Sequence, residues 1–321
     1  MESHTQPTAG EATEVHEEVF KILTLDGGGA KGLYSLGFLE QVEATAKRPL
    51  CDLFDMVYGT STGAIIAGLI GMGLPVAEIK KRYLDHVPTV MRPRFSWSKS
   101  RALEKLADTI FESHTFEDLK TYVGIVSTNW YMERPLIFKS SVRGAYSSKD
   151  TFKPGFGCTL ADAIRASCAA APFFQRVHLQ TANYEQVDAV DGGYCANNPT
   201  LFAISDALTA FGNSRGSLRV LSVGVGHYPQ PPQKLMSRIL NRLPSVQLLQ
   251  KTLSVNATSM ETLARFLFPD IQLVRVNNRY TEPHLATDFL EHDSMKLNRL
   301  YQLGRQSYES FEVTTKSLLG I

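Results

Sequence analysis

The feature that most constrains this chain is a glycine turn, Asp26-Gly27-Gly28-Gly29-Ala30-Lys31-Gly32, set directly after the short apolar run 21–25. A run that short, stopped by glycines, reads as a buried strand delivered into a tight turn. Behind it Leu33, Leu36, Phe38, Leu39 and Val42 recur at helical spacing. The unobstructed N–H groups of the turn are therefore expected at a helix N-terminus, where developing negative charge is favoured. A second unit follows: residues 53–58 are apolar apart from Asp55, and small residues over 64–69 open another helix, with Gly59-Thr60-Ser61-Thr62-Gly63 between them. The expected fold is a three-layer α/β/α sandwich with a mainly parallel central sheet, its loops at the strand C-terminal ends carrying the site.

Ser61 is thus expected on a strand-to-helix turn, the setting of a nucleophile elbow. Gly59 and Gly63 suit it because a strained turn that lifts the hydroxyl into the open leaves no room for flanking side chains. A serine hydroxyl needs a base beside it. The eight histidines are scattered, and the most suggestive, His227, follows the strand-like run 218–225 with no motif around it. Asp191 is better placed: residues 187–190 read as a strand, and Gly192-Gly193 turns the chain sharply, presenting the carboxylate at the strand end. A Ser-Asp dyad is the simpler reading.

The three motifs, in this order, resemble the patatin-like phospholipases, a family of lipid acyl hydrolases; the likeness runs over about residues 20–226. The resemblance implies that Gly27, Gly28 and Gly29 form an oxyanion hole, Ser61 attacks the ester carbonyl, and Asp191 takes its proton and later activates water. Asp26, Lys31, Gly32, Gly59, Gly63, Gly192 and Gly193 complete the motifs. Lys31 stands where many relatives carry Arg, keeping the charge and losing the planar donor fork. The likeness is particularly to bacterial patatin-like effectors of anti-phage signalling, and includes His86-Val87-Pro88 and the runs 101–106, 153–157 and 191–200. That resemblance implies activation by a cyclic dinucleotide, followed by degradation of membrane phospholipid.

Rival classes fit less of the chain. Gly27-x-Gly29-x-x-Gly32 satisfies the dinucleotide fingerprint, with Asp52 about 20 residues beyond, but a Rossmann reading leaves Asp26, Ser61 and Asp191 without a task. A sugar-kinase-like ATPase also ends its first strand in Asp and glycines. A lipid-binding scaffold would not need Ser61 and Asp191. No H-E-x-x-H or paired C-x-x-C set is present, so hydrolysis is expected to need no metal or other cofactor.

With 321 residues and 43% apolar content the chain can bury a sizeable core, and the motif spacing favours one unit over 20–321 with a helical elaboration over 229–321. A net charge of +1 gives no reason to expect nucleic-acid binding. Cys51, Cys158, Cys168 and Cys195 lie apart and read as free thiols. Residues 1–19 are polar, lack an apolar signal core and read as a flexible tail, so a cytoplasmic protein is expected, peripheral at the inner membrane when active. Residues 86–105 interleave Val90, Met91, Phe95 and Trp97 with Arg92, Arg94, Lys99 and Arg101, which suits a membrane contact, a lid or a plain loop. Residues 160–171 read as a small-residue helix whose Arg165, Ser167 and Cys168 belong to close packing. Asn197-Asn198-Pro199 reads as a helix start, with a supporting role near the dyad open. From Pro229 on, an amphipathic stretch over 236–268, a strand over 271–276 and a helix from Ser294 could cover the sheet, form a homo-oligomer face or bind a regulator.

Overall fold

Both glycine turns join a strand to a helix. In the computed structural model, which describes residues 18–141, 143, 153–183, 185–231 and 244–321, β1 (Phe20–Leu25) leads through the first turn into α1 (Gly32–Ala46). After the short α2 (Leu50–Leu53), β2 (Met56–Thr60) leads through Ser61 into α3 (Thr62–Gly71). The strand expected over 53–58 starts later because Leu53 still belongs to the helical turn of α2. α4 (Val76–Met91) and α5 (Ser96–Phe111) form a helical hairpin. The segment 86–105 is therefore mostly helix with a tip at 92–95, and its apolar alternation is helical amphipathicity: Val87, Val90 and Leu103 are buried.

The chain continues through β3 (Tyr122–Asn129), β4 (Arg134–Lys139), α6 (Leu160–Ser167), β5 (Val177–Gln180) and β6 (Gln186–Asp191). α7 (Gly193–Ala196), α8 (Thr200–Thr209), β7 (Leu218–Val223), α9 (Pro244–Leu267), β8 (Gln272–Val276) and α10 (Ser294–Leu319) follow. The helix expected over 160–171 stops at Ser167. Part of the stretch expected over 236–268, and the expected tail 1–19 apart from its last two residues, lie outside the described residues.

Strands β8, β7, β1, β2 and β3 lie side by side in parallel. β4 runs antiparallel along one edge of β3 over residues 124–129. The other edge is shared: β2 occupies it as far as Thr60 opposite Val126, and antiparallel β6 takes it up from Asp191 opposite Ser127. Two strands of opposite direction thus end head to head on neighbouring residues of β3. This brings the C-terminal ends of β2 and β6, 131 positions apart at Thr60 and Asp191, into contact.

Alternation along the strands divides the core in two. Leu23, Leu25, Val57, Val123 and Ile125 pack with α1, α3, α4, α5, α6 and α10. Ile22, Met56, Tyr58, Val126 and Val220 pack with α7, α8 and α9, giving the three-layer sandwich with its mainly parallel sheet. Near the strand C-terminal ends the second face turns polar. There Thr24 Oγ1 lies 2.8 Å from Thr200 Oγ1, Thr200 donates to Ser222 at 3.0 Å, and Thr60 donates to the Ala196 carbonyl at 2.7 Å. These bonds pin the loop between α7 and α8 to the sheet beneath the site.

Candidate functional site

Ser61 sits between β2 and α3 with φ 52° and ψ −119°, a backbone region costly for any residue with a side chain. The glycines around it are required by backbone meeting backbone. A Cβ at Gly59 would strike the Gly63 carbonyl, and one at Gly63 would strike the Leu25 carbonyl. The strained residue is held on both sides: its N–H donates to Ser167 Oγ at 2.8 Å, and its carbonyl accepts the Ala64 N–H at 2.9 Å. The Ser167 hydroxyl in turn donates to the Val126 carbonyl at 2.6 Å, so α6 fixes the turn to β3.

Asp191 ends β6 almost fully buried. Its N–H donates to the Ala169 carbonyl at 3.1 Å and its Oδ1 accepts the Gly193 N–H at 2.7 Å. Burial pushes the carboxyl up to about 6, although the Gly193 N–H and the Ser61 hydroxyl, within hydrogen-bonding reach, favour the ionised form. Such a group is largely ionised at neutral pH and still basic enough to take a proton in a transition state. Cys168 also lies against Ser61, but burial and then the Asp191 charge hold its thiol protonated. His227 lines the same cavity with its Nε2 engaged by Asn277 at 2.9 Å, and burial lowers its pKa, so the geometry pairs Ser61 with Asp191 and not with His227.

The glycine turn is clamped from three directions. Gly27 donates its N–H to the Asn197 carbonyl at 3.0 Å and accepts from Asn197 Nδ2 at 3.2 Å. That N–H is spent, which narrows the donors available for an oxyanion from the expected three glycines to Gly28 and Gly29. The Gly29 carbonyl accepts the Tyr83 hydroxyl at 2.6 Å, and Ala30 donates to the Phe289 carbonyl at 3.0 Å. Gly29 has φ +58°, and a Cβ there would strike that same carbonyl. Gly32 is needed because a Cβ would lie 2.6 Å from Thr62 Oγ1. Lys31 is half-buried beside Asp288 and Asp26; desolvation lowers its pKa and the two carboxylates oppose that.

Behind the turn, buried Asp26 forms a two-point ion pair with Arg275 of β8, Nη1 to Oδ1 at 2.8 Å and Nη2 to Oδ2. The guanidinium also reaches Glu261 of α9, Nε to Oε2 at 3.3 Å. Another α9 residue, Asn256, accepts the Asn197 N–H at 2.7 Å and donates to the Cys195 carbonyl at 3.0 Å. A Cβ at Gly193 would lie 2.7 Å from Leu253 of α9, and one at Gly192 would strike the Val126 carbonyl. Sequence reasoning missed Ser167, Tyr83, Asn256 and Arg275. Each lies far from a motif, and the small residues around Ser167 read as close packing. Asn198 does serve the helix start, accepting the Thr200 N–H at 2.9 Å, whereas Pro199 occupies the N-cap position and not the first helical one.

Asp26, the three glycines, Lys31, Ser61 and Asp191 line one cavity of about 400 Å³. Its other wall is apolar, with Ile65, Val87, Val90, Leu103, Leu106 and Phe174. Among the described residues no cluster of three or more His, Cys, Asp or Glu side chains is placed to hold a metal ion. Such a pocket takes a molecule with an ester at one end and a hydrocarbon tail along the wall.

Residues 23–204 match the family model for patatin-like phospholipases. The chain is 48% identical over 304 residues to the cUMP-AMP-activated phospholipase of Escherichia coli, covering 95% of each. It is 30% identical to patatin-like protein 2 of Arabidopsis thaliana over 64% of this chain and 60% of that one. It is 28% identical to the cGAMP-activated phospholipase of Vibrio cholerae over 64% and 63%.

Proposed function

Because the chain belongs to the patatin-like phospholipase family, we propose that it is a serine lipid acyl hydrolase that cleaves membrane phospholipid through Ser61 and Asp191. The observation that carries this reading is the head-to-head meeting of β2 and β6, which brings a strained serine and a buried carboxylate to one cavity with an apolar wall. Asp191 takes the hydroxyl proton as Ser61 Oγ bonds to the ester carbonyl carbon. The Gly28 and Gly29 N–H groups, at the N-terminal end of α1, receive the oxyanion. Collapse of the tetrahedral adduct breaks the bond to the lysophospholipid oxygen, which leaves with the proton from Asp191. Asp191 then takes a proton from water as the water oxygen attacks the acyl carbon, and returns it to Ser61 Oγ as the Oγ–acyl bond breaks, which releases fatty acid and restores both residues.

A cyclic dinucleotide is proposed as activator, the enzyme being cytoplasmic and peripheral at the inner membrane when active, in anti-phage defence. The support is the near-full-length similarity to an enzyme named for activation by cUMP-AMP. No helix among the described residues is long and apolar enough to cross a membrane, which fits peripheral action.

The test is fatty-acid release from phospholipid vesicles by the wild type and Ser61→Ala, with and without cyclic UMP–AMP. Release by the wild type only with the nucleotide, absent in Ser61→Ala, is expected. Nucleotide-independent release removes the activator from the reading. Release that persists in Ser61→Ala removes the dyad.

A further inference from the structure

Two turns of this protein expose aromatic side chains that its core does not use. At the tip between α4 and α5, Phe95 and Trp97 stack at 6.5 Å and 13°, and are 61% and 58% exposed. At the turn between β3 and β4, Trp130, Tyr131 and Met132 are 47%, 73% and 60% exposed. Phe95 aside, every one of these residues is flexible, soft or amphipathic, the kinds of side chain that settle where apolar and aqueous phases meet. Trp97 and Trp130 are the only tryptophans in the sequence.

The two turns belong to one surface. β3 is parallel to β2, so the turn after Asn129 emerges at the same end of the sheet as Ser61. The Arg176 guanidinium stacks on Trp130 at 5.2 Å. Arg176, Trp97 and Arg101 line a common cleft of about 380 Å³, in whose lining the Gln175 N–H donates to Ser100 Oγ at 2.8 Å. Leu103 and Phe174, both buried, line this cleft and the catalytic cavity alike, so the two hollows share a wall beneath Trp97. Its charge is predominantly basic: Arg92, Arg94, Arg101 and Arg134 are exposed around the rings against one exposed carboxylate in the β3–β4 turn, Glu133, while Glu104 is engaged by Arg165 at 2.7 Å.

We propose that the α4–α5 tip and the β3–β4 turn together are the surface by which the protein docks on an anionic phospholipid bilayer, with the catalytic cavity opening toward the lipid. The proposal rests on the phospholipase reading, which supplies the occupant: a substrate with long acyl chains passes poorly through water, so the cavity has to meet the bilayer. Rings of Trp and Tyr sit at the headgroup level, and the arginines meet anionic headgroups there. An interface of this kind holds the protein reversibly, without any spanning helix.

The test uses the full chain carrying Ser61→Ala, so that lipid is not consumed, with vesicles rich in phosphatidylglycerol or made of phosphatidylcholine, in the presence and absence of cyclic UMP–AMP. The parent is expected to sediment with phosphatidylglycerol vesicles, less so at high salt, with a blue shift of its tryptophan emission. Adding Phe95→Ser with Trp97→Ser, or Trp130→Ser with Tyr131→Ser, is expected to weaken vesicle binding at least about tenfold. In the Ser61 background the same pairs are expected to leave hydrolysis of a water-soluble short-chain ester within about twofold, which also reports correct folding. Unchanged vesicle binding by both pairs, or a parent that binds no anionic vesicle in either condition, overturns the proposal. Ring substitutions that only convert a dimer to a monomer also overturn it, making the surface a protein interface. Ring-dependent vesicle binding by a protein that cleaves neither ester nor lipid leaves the docking surface standing and removes the hydrolase reading.

Discussion

Asp191 has to be both buried and ionised, and that conflict makes it measurable. Its carboxyl is raised in the fold from 3.8 to about 6 by burial. Below about pH 3 the group is neutral in the folded and unfolded chain and costs nothing. As pH rises from 4 to 6 the unfolded chain ionises first, so this group removes up to roughly 3 kcal/mol of stability, all of it lost above 6. Asp191→Asn keeps an acceptor for the Gly193 N–H and sheds the charge. We predict that it abolishes turnover yet raises the melting temperature at pH 7, with little gain at pH 4; a lowered melting temperature at pH 7 would contradict this. For the wild type, kcat/KM on a soluble ester should rise with pH to a plateau above about 6. Gly28 gives a steric test, because an added Cβ would lie 2.6 Å from Val225 Cγ2. Gly28→Ala should lower kcat at least about 100-fold by displacing an oxyanion donor. Adding Val225→Ala should recover part of that loss, and no recovery would mean that the loop's own backbone freedom is what the glycine supplies.

At the scale of elements, some helices hold the sheet, whereas α4, α6 and α9 also hold the site. α1 and α10 cross with backbone nearly touching backbone: a Cβ at Gly37 would strike the Tyr301 carbonyl, and one at Gly304 would strike the Tyr34 carbonyl. Neither neighbour can swing aside as a flexible side chain can. Gly304→Ala should therefore cost about 1–3 kcal/mol in urea unfolding, with little change in KM; a neutral result would show that the helices separate at small cost. α9 instead reaches both halves of the site, through Asn256 to residues 195 and 197 and through Glu261 to Arg275 and Asp26. The helices and strands around each motif were legible from periodicity and glycine positions, within a few residues at their ends. The α4–α5 hairpin was not, because its basic residues obscured an apolar stripe of only a few side chains.

At the scale of the whole molecule, the sheet runs beyond the family match. β7 and β8, which follow residue 204, continue it past β1, and α10 covers α1. β7 pairs along all of β1, from Phe20 opposite Leu218 to Leu25 opposite Val223, so β1 has no finished edge without it. We propose that residues 20–321 fold as one unit. Thermal unfolding followed by circular dichroism and by tryptophan emission should give one coincident transition; two separated transitions would divide the C-terminal elaboration from the rest.

The sequence by itself determined the layered architecture and the strained serine turn, and singled out the two side chains proposed to react. Those depend on local rules: period two or 3.6 in apolar residues, and glycine where backbone meets backbone. Only the tertiary structure decided how Ser61 meets Asp191, because that depends on β2 and β6 ending on adjacent residues of β3, a pairing no local pattern encodes. It also decided that the Gly27 N–H is spent on Asn197, that Ser167 holds the nucleophile, and that Arg275, 249 residues from Asp26, secures the glycine turn. Each of these is a hydrogen bond between groups far apart in the chain, and its partner is chosen by which strands and helices lie side by side, not by any residue's neighbours in sequence.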